Sequence, residues 1–545
     1  MQGFEIDYWP PHVAITSRLD AAAPISALPV EAPAREIAAF MSRSYRQDFY
    51  ERIHVLPASF DMGNLVSTQT RTVDVWNAFL GRSVTLNEVA SQNADGIAIA
   101  GPGALPMTFA PLQQRAWQIN VTPDGPPVID ASLMWVFAGD VQPTTVRITG
   151  NRITAWMVPP DWANNVTETL SWLTDVQQAY DGSQTRLICR EAPRRQWEFT
   201  VFGHARERQI LEAALYDWSA RRWALPIWTD VTWLKTGLAA GLASIPISTV
   251  DLDYVAGGLA VLWSSPWRYE LVEITDVAAG ALVLKNPTTK AWSKGDRIYP
   301  CRTAILTDAP SLPRLSSRLI SAQVRFMAAE PCDWPAVPPP VTYLGYPVLE
   351  TRTDEPEDIA VAHGRQMTLI DNDVGLPLID DPTGLPWPTQ AFYWFLNGRR
   401  ERAAHRSVLY WLQGRANPVW VPSWSDDVEM NAELSETATS LHIEWIGYTR
   451  FLHQRPGRRH IRIELKDGTV FYRRISASNE IDDDNESLAI DAPLGRSVTP
   501  KAVRQISWMM LATLNTDNVD IGHVHDSMGT ATSSATFIAV PKEEP

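Results

Sequence analysis

From about Phe60 to Asp161, apolar and polar residues alternate with a period of two. The runs pair Val73 with Val75, Val84 with Leu86, Ile97 with Ile99, Trp117 with Ile119, Leu133 with Trp135, and Val146 with Ile148. Turn sequences separate them, among them Asp95-Gly96, Gly101-Pro102-Gly103, Pro123-Asp124-Gly125-Pro126 and Ala138-Gly139-Asp140. Short strands punctuated in this way predict a β-sandwich of the immunoglobulin type over residues 59–165. Gly101-Pro102-Gly103 reads as a turn and not a phosphate loop, because no Lys-Ser/Thr follows and no helix opens there.

Further on, a helix-period pattern occurs twice. Leu215-Tyr216-Asp217-Trp218 leads through Pro226-Ile227-Trp228-Thr229-Asp230, and Leu409-Tyr410-Trp411-Leu412 leads through Pro422-Ser423-Trp424-Ser425-Asp426. Leu215 and Leu409 are 194 residues apart, Asp230 and Asp426 are 196 apart, so a two-residue indel lies in the loop. A tandem pattern of this length signals two copies of one domain, at 166–330 and 341–545. One helix is expected in each. In the first, Ile210, Ala214 and Trp218 fall four apart beside Leu211 and Leu215, over about 205–220; in the second, Ala404, Val408 and Leu412 do so.

Strand patterns flank both helices, at 186–190, 196–202 and 282–284 in the first copy and at 441–448 and 461–465 in the second. Turns are read at Trp292-Ser293-Lys294-Gly295-Asp296-Arg297 and at Lys466-Asp467-Gly468-Thr469. The segments opening at Arg318 and Arg504 read as matching closing strands. Residues 331–340, with Pro338-Pro339-Pro340, form a semi-rigid linker. Residues 1–58 are Pro- and Ala-rich and read as an arm that orders on a neighbour, with one short helix near 34–46. The expected fold is therefore mainly β: a sandwich, then two tandem α+β units, each a β-barrel-like body with one helix.

Composition sharpens this reading. The 545 residues carry 45% hydrophobic and 20% charged side chains, enough for packed cores in about three or four domains. With 23 Trp and 41 Pro, the chain favours short strands, turns and aromatic contacts over long helices. A net charge of −15 repels nucleic acid and anionic membrane. The three cysteines show no CxxC spacing and fit a reduced compartment without a disulfide framework or zinc site. The start of the chain lacks a secretory signal pattern and no apolar run reaches 18 residues, so a soluble chain assembled in the cytosol is expected.

Candidate chemistry is sparse. His523-Val524-His525-Asp526 puts two imidazoles on one strand face, a spacing a metal can use, but no third ligand is identifiable and a structural strand is expected. Asp482-Asp483-Asp484 lacks the glycine and spacing of a calcium loop and reads as a solvated hairpin turn. Arg455, Arg458, Arg459, Arg462, Arg473 and Arg474 form a basic stretch, read as pairing with carboxylates of a neighbouring subunit in preference to nucleic acid. No nucleophile elbow, zincin, P-loop or dinucleotide motif occurs, so neither catalysis nor a cofactor is expected.

The stretch Gly414-Arg415-Ala416-Asn417-Pro418-Val419-Trp420-Val421-Pro422-Ser423-Trp424-Ser425-Asp426 resembles a motif in tail-tip and baseplate proteins of long-tailed bacteriophages. It looks like the distal tail proteins and first hub proteins of Mu-like siphophages and gene transfer agents. There, a helix runs into a Gly-Arg loop rich in Pro and Trp, then a β-barrel-like unit whose last strand is followed by an Asp. Trp508 and Asp517 or Asp520 stand in that closing region here. Phe60-Asp61-Met62-Gly63-Asn64-Leu65 with Val75-Trp76-Asn77 looks like the sandwich often fused to such proteins. The first copy departs from the pattern: Ser219-Ala220-Arg221-Arg222 fills its loop, with no Gly opposite Gly414.

The resemblance implies a non-enzymatic structural protein of the virion tail tip, built in the host cytoplasm as a ring of three or six copies. Its implied partners are the tail tube protein, the tape measure protein, the baseplate hub and the receptor-binding or tail-fibre proteins. DNA passes only in transit, and no membrane insertion is expected. Arg221, Trp228, Asp230, Gly414, Arg415, Pro422, Trp424 and Asp426 are expected to carry the ring contacts. The alternative is a glycan-binding module that attaches the particle to its host through exposed tryptophans.

Overall fold

The alternating runs of the first third pack as two sheets on one core. β1 (Ile53–Leu56), β3 (Gln69–Asn77), β7 (Gln114–Val121) and β5 (Ile97–Ala100) form one sheet, in that order. β2 (Ser59–Leu65), β9 (Thr144–Arg152), β8 (Val128–Phe137), β4 (Val84–Gln92) and β6 (Met107–Phe109) form the other. Inward residues such as Val73, Ile119, Leu133, Trp135 and Ile148 share one buried cluster, as a side-chain period of two requires. This computed structural model describes residues 49–545 except 67, 124, 127, 355–359 and 526–527. The helix read near 34–46 and most of the arm lie outside the described residues.

Two boundaries move. β1 lies inside the stretch read as arm and pairs antiparallel with β3, Val55 opposite Val75. At the other end the sandwich stops with β9, because Thr154 and Ala155 leave it to pair parallel with Trp223 and Ala224.

The rest of the chain builds strands around two helices. The first half contains β10 (Val166–Ser171), β11 (Thr174–Gln178), β12 (Gln184–Ile188), β13 (Arg194–His204), α1 (Arg206–Trp218), β14 (Arg222–Pro226), β15 (Leu259–Ser265), β16 (Arg297–Leu306) and β17 (Leu319–Ala328). The second contains β18 (Val361–Arg365), β19 (Thr368–Ile370), β20 (Leu378–Asp380), β21 (Pro386–Leu396), α2 (Arg399–Leu412), β22 (Val419–Pro422), β23 (His460–Leu465), β24 (Val503–Leu514), β25 (Asn518–His523) and β26 (Ala531–Ala539).

Pairings recur between the halves. β13 lies between β10 and β17, and β21 lies between β18 and β26. β16 joins β14 to β15, and β24 joins β22 to β23. The hairpins β11–β12 and β19–β20 follow the same strand in each half. β25 is additional: it pairs antiparallel with both β26 and β10. One ladder therefore runs β17–β13–β10–β25–β26–β21–β18 across both halves. The segment from Arg504 is β24, which pairs as β16 does; β26, not β24, pairs as β17 does. The apolar run of β24 marks a buried strand without naming its partner, so only the pairing distinguishes its place.

The first helix buries part of the face expected of it, and the second turns a different face inward. α1 buries Leu211 and Leu215. α2 turns Arg402, Ala403, Arg406, Leu409 and Tyr410 inward, while Ala404 of the expected apolar stripe is exposed and Val408 half-buried. The linker packs along α2: Trp334 Nε1 donates to Ser407 Oγ at 3.0 Å, and the Tyr410 hydroxyl donates to the Cys332 carbonyl at 2.6 Å. No helix among the described residues is long and apolar enough to cross a membrane.

Candidate functional site

β10 alternates like any half-buried strand, but one of its inward positions is Glu168. Arg195, at an inward position of the neighbouring β13, sets Nη2 2.7 Å from Glu168 Oε1. Its Nη1 donates to Asp253 Oδ2 at 2.5 Å, and Arg302 of β16 donates to Asp253 Oδ1 at 2.5 Å. The second half completes the set. Arg406 Nη2 on α2 donates to Glu168 Oε2 at 2.6 Å, and His523 Nε2 at the end of β25 lies 2.9 Å from the same oxygen. One turn before Arg406, Arg402 donates to the Asp230 carboxylate and, at 3.2 Å, to the Thr229 carbonyl. The Asp253 amide donates to Asp230 Oδ2 at 2.9 Å and links the two groups.

Three carboxylates and four guanidiniums thus sit in an almost solvent-free junction between the halves. Burial alone pushes the Glu168 carboxyl up, but Arg195, Arg406 and His523 outweigh it and hold it well below the usual range. Burial likewise opposes ionisation of Asp253, yet Arg195 and Arg302 bring it down to about 2. His523 is pushed down by burial despite Glu168, which keeps the imidazole neutral near pH 7. A buried ion costs several kcal/mol unless paired, so the cluster is stable only when both halves supply their members. Every carboxylate is occupied by an arginine, an arrangement suited to locking two bodies together.

The loops after the helices have related internal roles. Trp228 packs edge-on against Tyr299 and Trp263, with ring centroids 4.9 Å and 6.0 Å away. Gly414 has φ +66°, and a Cβ there would meet the Asp517 carboxylate and, at 3.0 Å, Trp172 Cβ. Asp517 accepts from the Arg415 amide at 3.0 Å and from the Thr174 amide of the first half at 2.8 Å. Pro422 is buried opposite Met509. Trp424 adopts φ 57° with its ring buried under the Arg462 guanidinium, 4.6 Å from the ring centroid. Gln505 Nε2 donates to its carbonyl at 2.7 Å.

The expected set of ring contacts needs correction. Trp228, Asp230, Gly414, Pro422 and Trp424 are buried against their own chain and present no side chain to another copy. Arg221 and Arg415 are partly exposed and Asp426 is exposed. Trp228 and Trp424 are both buried but in different surroundings, and Asp230 is buried where Asp426 is exposed.

No protein-family model matches this chain, and no curated protein matches it.

Several arginines of the basic stretch have partners within the chain. Arg462 pairs with Glu350 at 2.9 Å and Glu464 at 2.6 Å, and Arg459 with Glu544 at 3.2 Å. Arg473 donates to the carbonyls of Ala492 and Pro493. Arg459, Arg462 and Arg473 thus find partners within the chain, whereas Arg455 of the same stretch is exposed. In the acidic turn, Asp482 Oδ1 accepts from the Asp484 amide at 2.9 Å. Among the described residues no three His, Cys, Asp or Glu side chains are grouped to hold a metal ion. Sequence reading missed Glu168, Arg195, Asp253, Arg302, Arg402, Arg406 and His523. A signal existed for some: Arg402 and Arg406 are one turn apart, and Glu168 interrupts the inward positions of an alternating strand.

Proposed function

We propose that this protein is a structural component of a bacteriophage tail tip or baseplate. In this reading an immunoglobulin-like sandwich precedes two tandem copies of one tail-ring unit. Three or six chains form a ring that joins the tail tube to the hub and receptor-binding proteins and leaves a channel for DNA. The observation that carries the reading is the asymmetry of two equivalent strands of the ladder. β10 is covered by β25 of the other half, whereas β18, which pairs with β21 as β10 pairs with β13, has all five residues exposed. A unit covered on one side and bare on the other adds head to tail, and such contacts close rings when the rotation permits.

The exposed face of the central ladder also suits a channel. β10, β25 and β26 turn Thr167, Thr169, Asp520, Thr532 and Ser534 outward and contain no Lys or Arg. A hydroxyl-rich face without cations gives passing DNA no counterion release and so no grip. The glycan-binding alternative has less support, since the exposed tryptophans among the described residues are Trp233 and Trp267.

Electron microscopy of the purified chain, with class averages tested for three- and six-fold symmetry, tests the proposal. Closed rings with an axial hole that admits duplex DNA are expected. Monomers at every concentration, with Trp emission that shifts on adding host polysaccharide, would favour the attachment module.

A further inference from the structure

The β19–β20 hairpin exposes Met367, Leu369, Val374, Leu376, Leu378 and Ile379, with Val374 at 93% and Leu376 at 96% of full exposure. A soluble surface rarely groups so many apolar side chains unless they have a partner. The equivalent hairpin of the first half shows what kind. β11–β12 lies on the second half, where Gln178 donates to Gln366 at 2.9 Å, the Tyr180 hydroxyl donates to Asp380 at 3.3 Å, and Arg186 pairs with Glu543 at 2.8 Å. Its strand, β10, is covered by β25. In the second half, strand β18 has no such cover, and hairpin β19–β20 meets the first half only at its base, through Gln366 and Asp380, while its apolar side chains stand exposed.

The opposite end of the ladder offers a seat. β17 pairs with β16 from Phe326 to Ala328, the Thr307 amide donates to the Arg325 carbonyl at 3.1 Å, and residues 314–315 bridge Ile320 and Leu319, which leaves the outer edge open between Ser321 and Val324. A groove of about 380 Å³ runs beside it, between residues 308–313 and Ser321, Gln323 and Arg325. Leu315 stands exposed there, flanked by exposed Arg314 and Arg318. The hairpin carries the complementary charges, exposed Asp371 and Asp373 beside its apolar tip. Edge strands with free backbone groups accept a further strand, and side-chain pockets then set specificity.

We infer that β18 and the β19–β20 hairpin of one copy dock on the first half of a second copy, along the outer edge of β17. The inference rests on the ring reading and adds which surfaces meet. The contact is head to tail, so every copy uses both surfaces and no hairpin is left bare in a closed ring.

The test uses the full chain. Leu376→Glu with Ile379→Glu changes two exposed side chains, so the far-ultraviolet circular dichroism is expected to stay unchanged while sedimentation shows loss of the oligomer. Separately, in a Cys189→Ser background, Leu376→Cys combined with Leu315→Cys is expected to give inter-copy cross-links with a short bis-maleimide. Each of those two substitutions alone is expected to give none. Rings that persist in the double glutamate variant would overturn the docking inference and leave the ring reading standing. Cross-linking by Leu376→Cys alone would mean hairpin meets hairpin and would also overturn it. An unsubstituted chain that sediments as a monomer up to its solubility limit would overturn both.

Discussion

Arg406 on α2 donates to Glu168 on β10 at 2.6 Å, with both side chains sealed from solvent and the two residues 238 positions apart. The bond joins the two halves of the chain at a place where neither ion is tolerated alone. Arg406→Met leaves Glu168 short of a partner and should destabilise the chain by about 3–5 kcal/mol. Urea unfolding measures this. A double-mutant cycle with Glu168→Gln should show coupling of about 0.5–3 kcal/mol; additive losses would mean the pair does not hold the junction.

Acid should open the same junction. Asp253 is held down to about 2 against an unfolded value of about 3.9, so its contribution is whole above pH ~4 and lost as pH falls towards 2. Glu168 behaves in the same sense. Asp253→Asn should weaken the chain near pH 7 and flatten the acid limb of a stability–pH profile followed by urea midpoint.

A second pH effect falls nearer neutrality. Burial, with Arg459 and Arg474, pushes His460 down to about 3, and burial pushes His523 down as well. Below pH ~6.5 the unfolded chain takes up protons that the folded chain resists, so stability falls on acidification, by about 1.4 kcal/mol per pH unit for His460, and His523 acts in the same direction. Glu544, raised to about 7 by burial against the pull of Arg459, acts oppositely: its contribution is whole below pH ~4.3 and lost as pH rises towards 7. Glu544→Gln should therefore steepen the loss of stability between pH 6.5 and 5. An unchanged slope would show that Glu544 is ionised in the folded chain.

Gly414→Ala should destabilise by at least about 1–2 kcal/mol, from the left-handed backbone alone, before the collision with the Asp517 carboxylate is counted. Differential scanning calorimetry should show the lower Tm. An unchanged Tm would mean that the loop swings away from Asp517 at no penalty.

Trp424→Ala empties a buried site under Arg462 and should lower stability by about 3–5 kcal/mol, whereas Asp426→Ala, exposed, should stay within about 0.5 kcal/mol. Failed particle assembly by Trp424→Ala would accordingly reflect folding. Arg415→Ala, partly exposed, is the variant whose assembly defect would report a ring contact in a chain that still unfolds at its normal urea midpoint.

Much of the local structure was legible in one dimension. Alternation at Val73–Val75 or Leu133–Trp135 specifies a strand face because side chains on a pleated backbone repeat every two residues. The glycines at 295 and 468 mark tight turns because both take positive φ. The two helices were visible from apolar spacing, and so was the recurrence of Trp228 and Trp424. What periodicity does not carry is partnership. Arg402 and Arg406 resemble solvent-facing helix residues until Asp230 and Glu168 arrive from 172 and 238 residues away. β24 reads as an apolar strand and β26, rich in Ser and Thr, as a polar tail until β22 and β21 pair with them. The sequence by itself determined many of the strands, turns and helices, because those depend on neighbours along the chain. Only the tertiary structure decided which charges go inside and which loop residues are interior, because a buried ion or ring is stable only against the particular groups the fold brings to it.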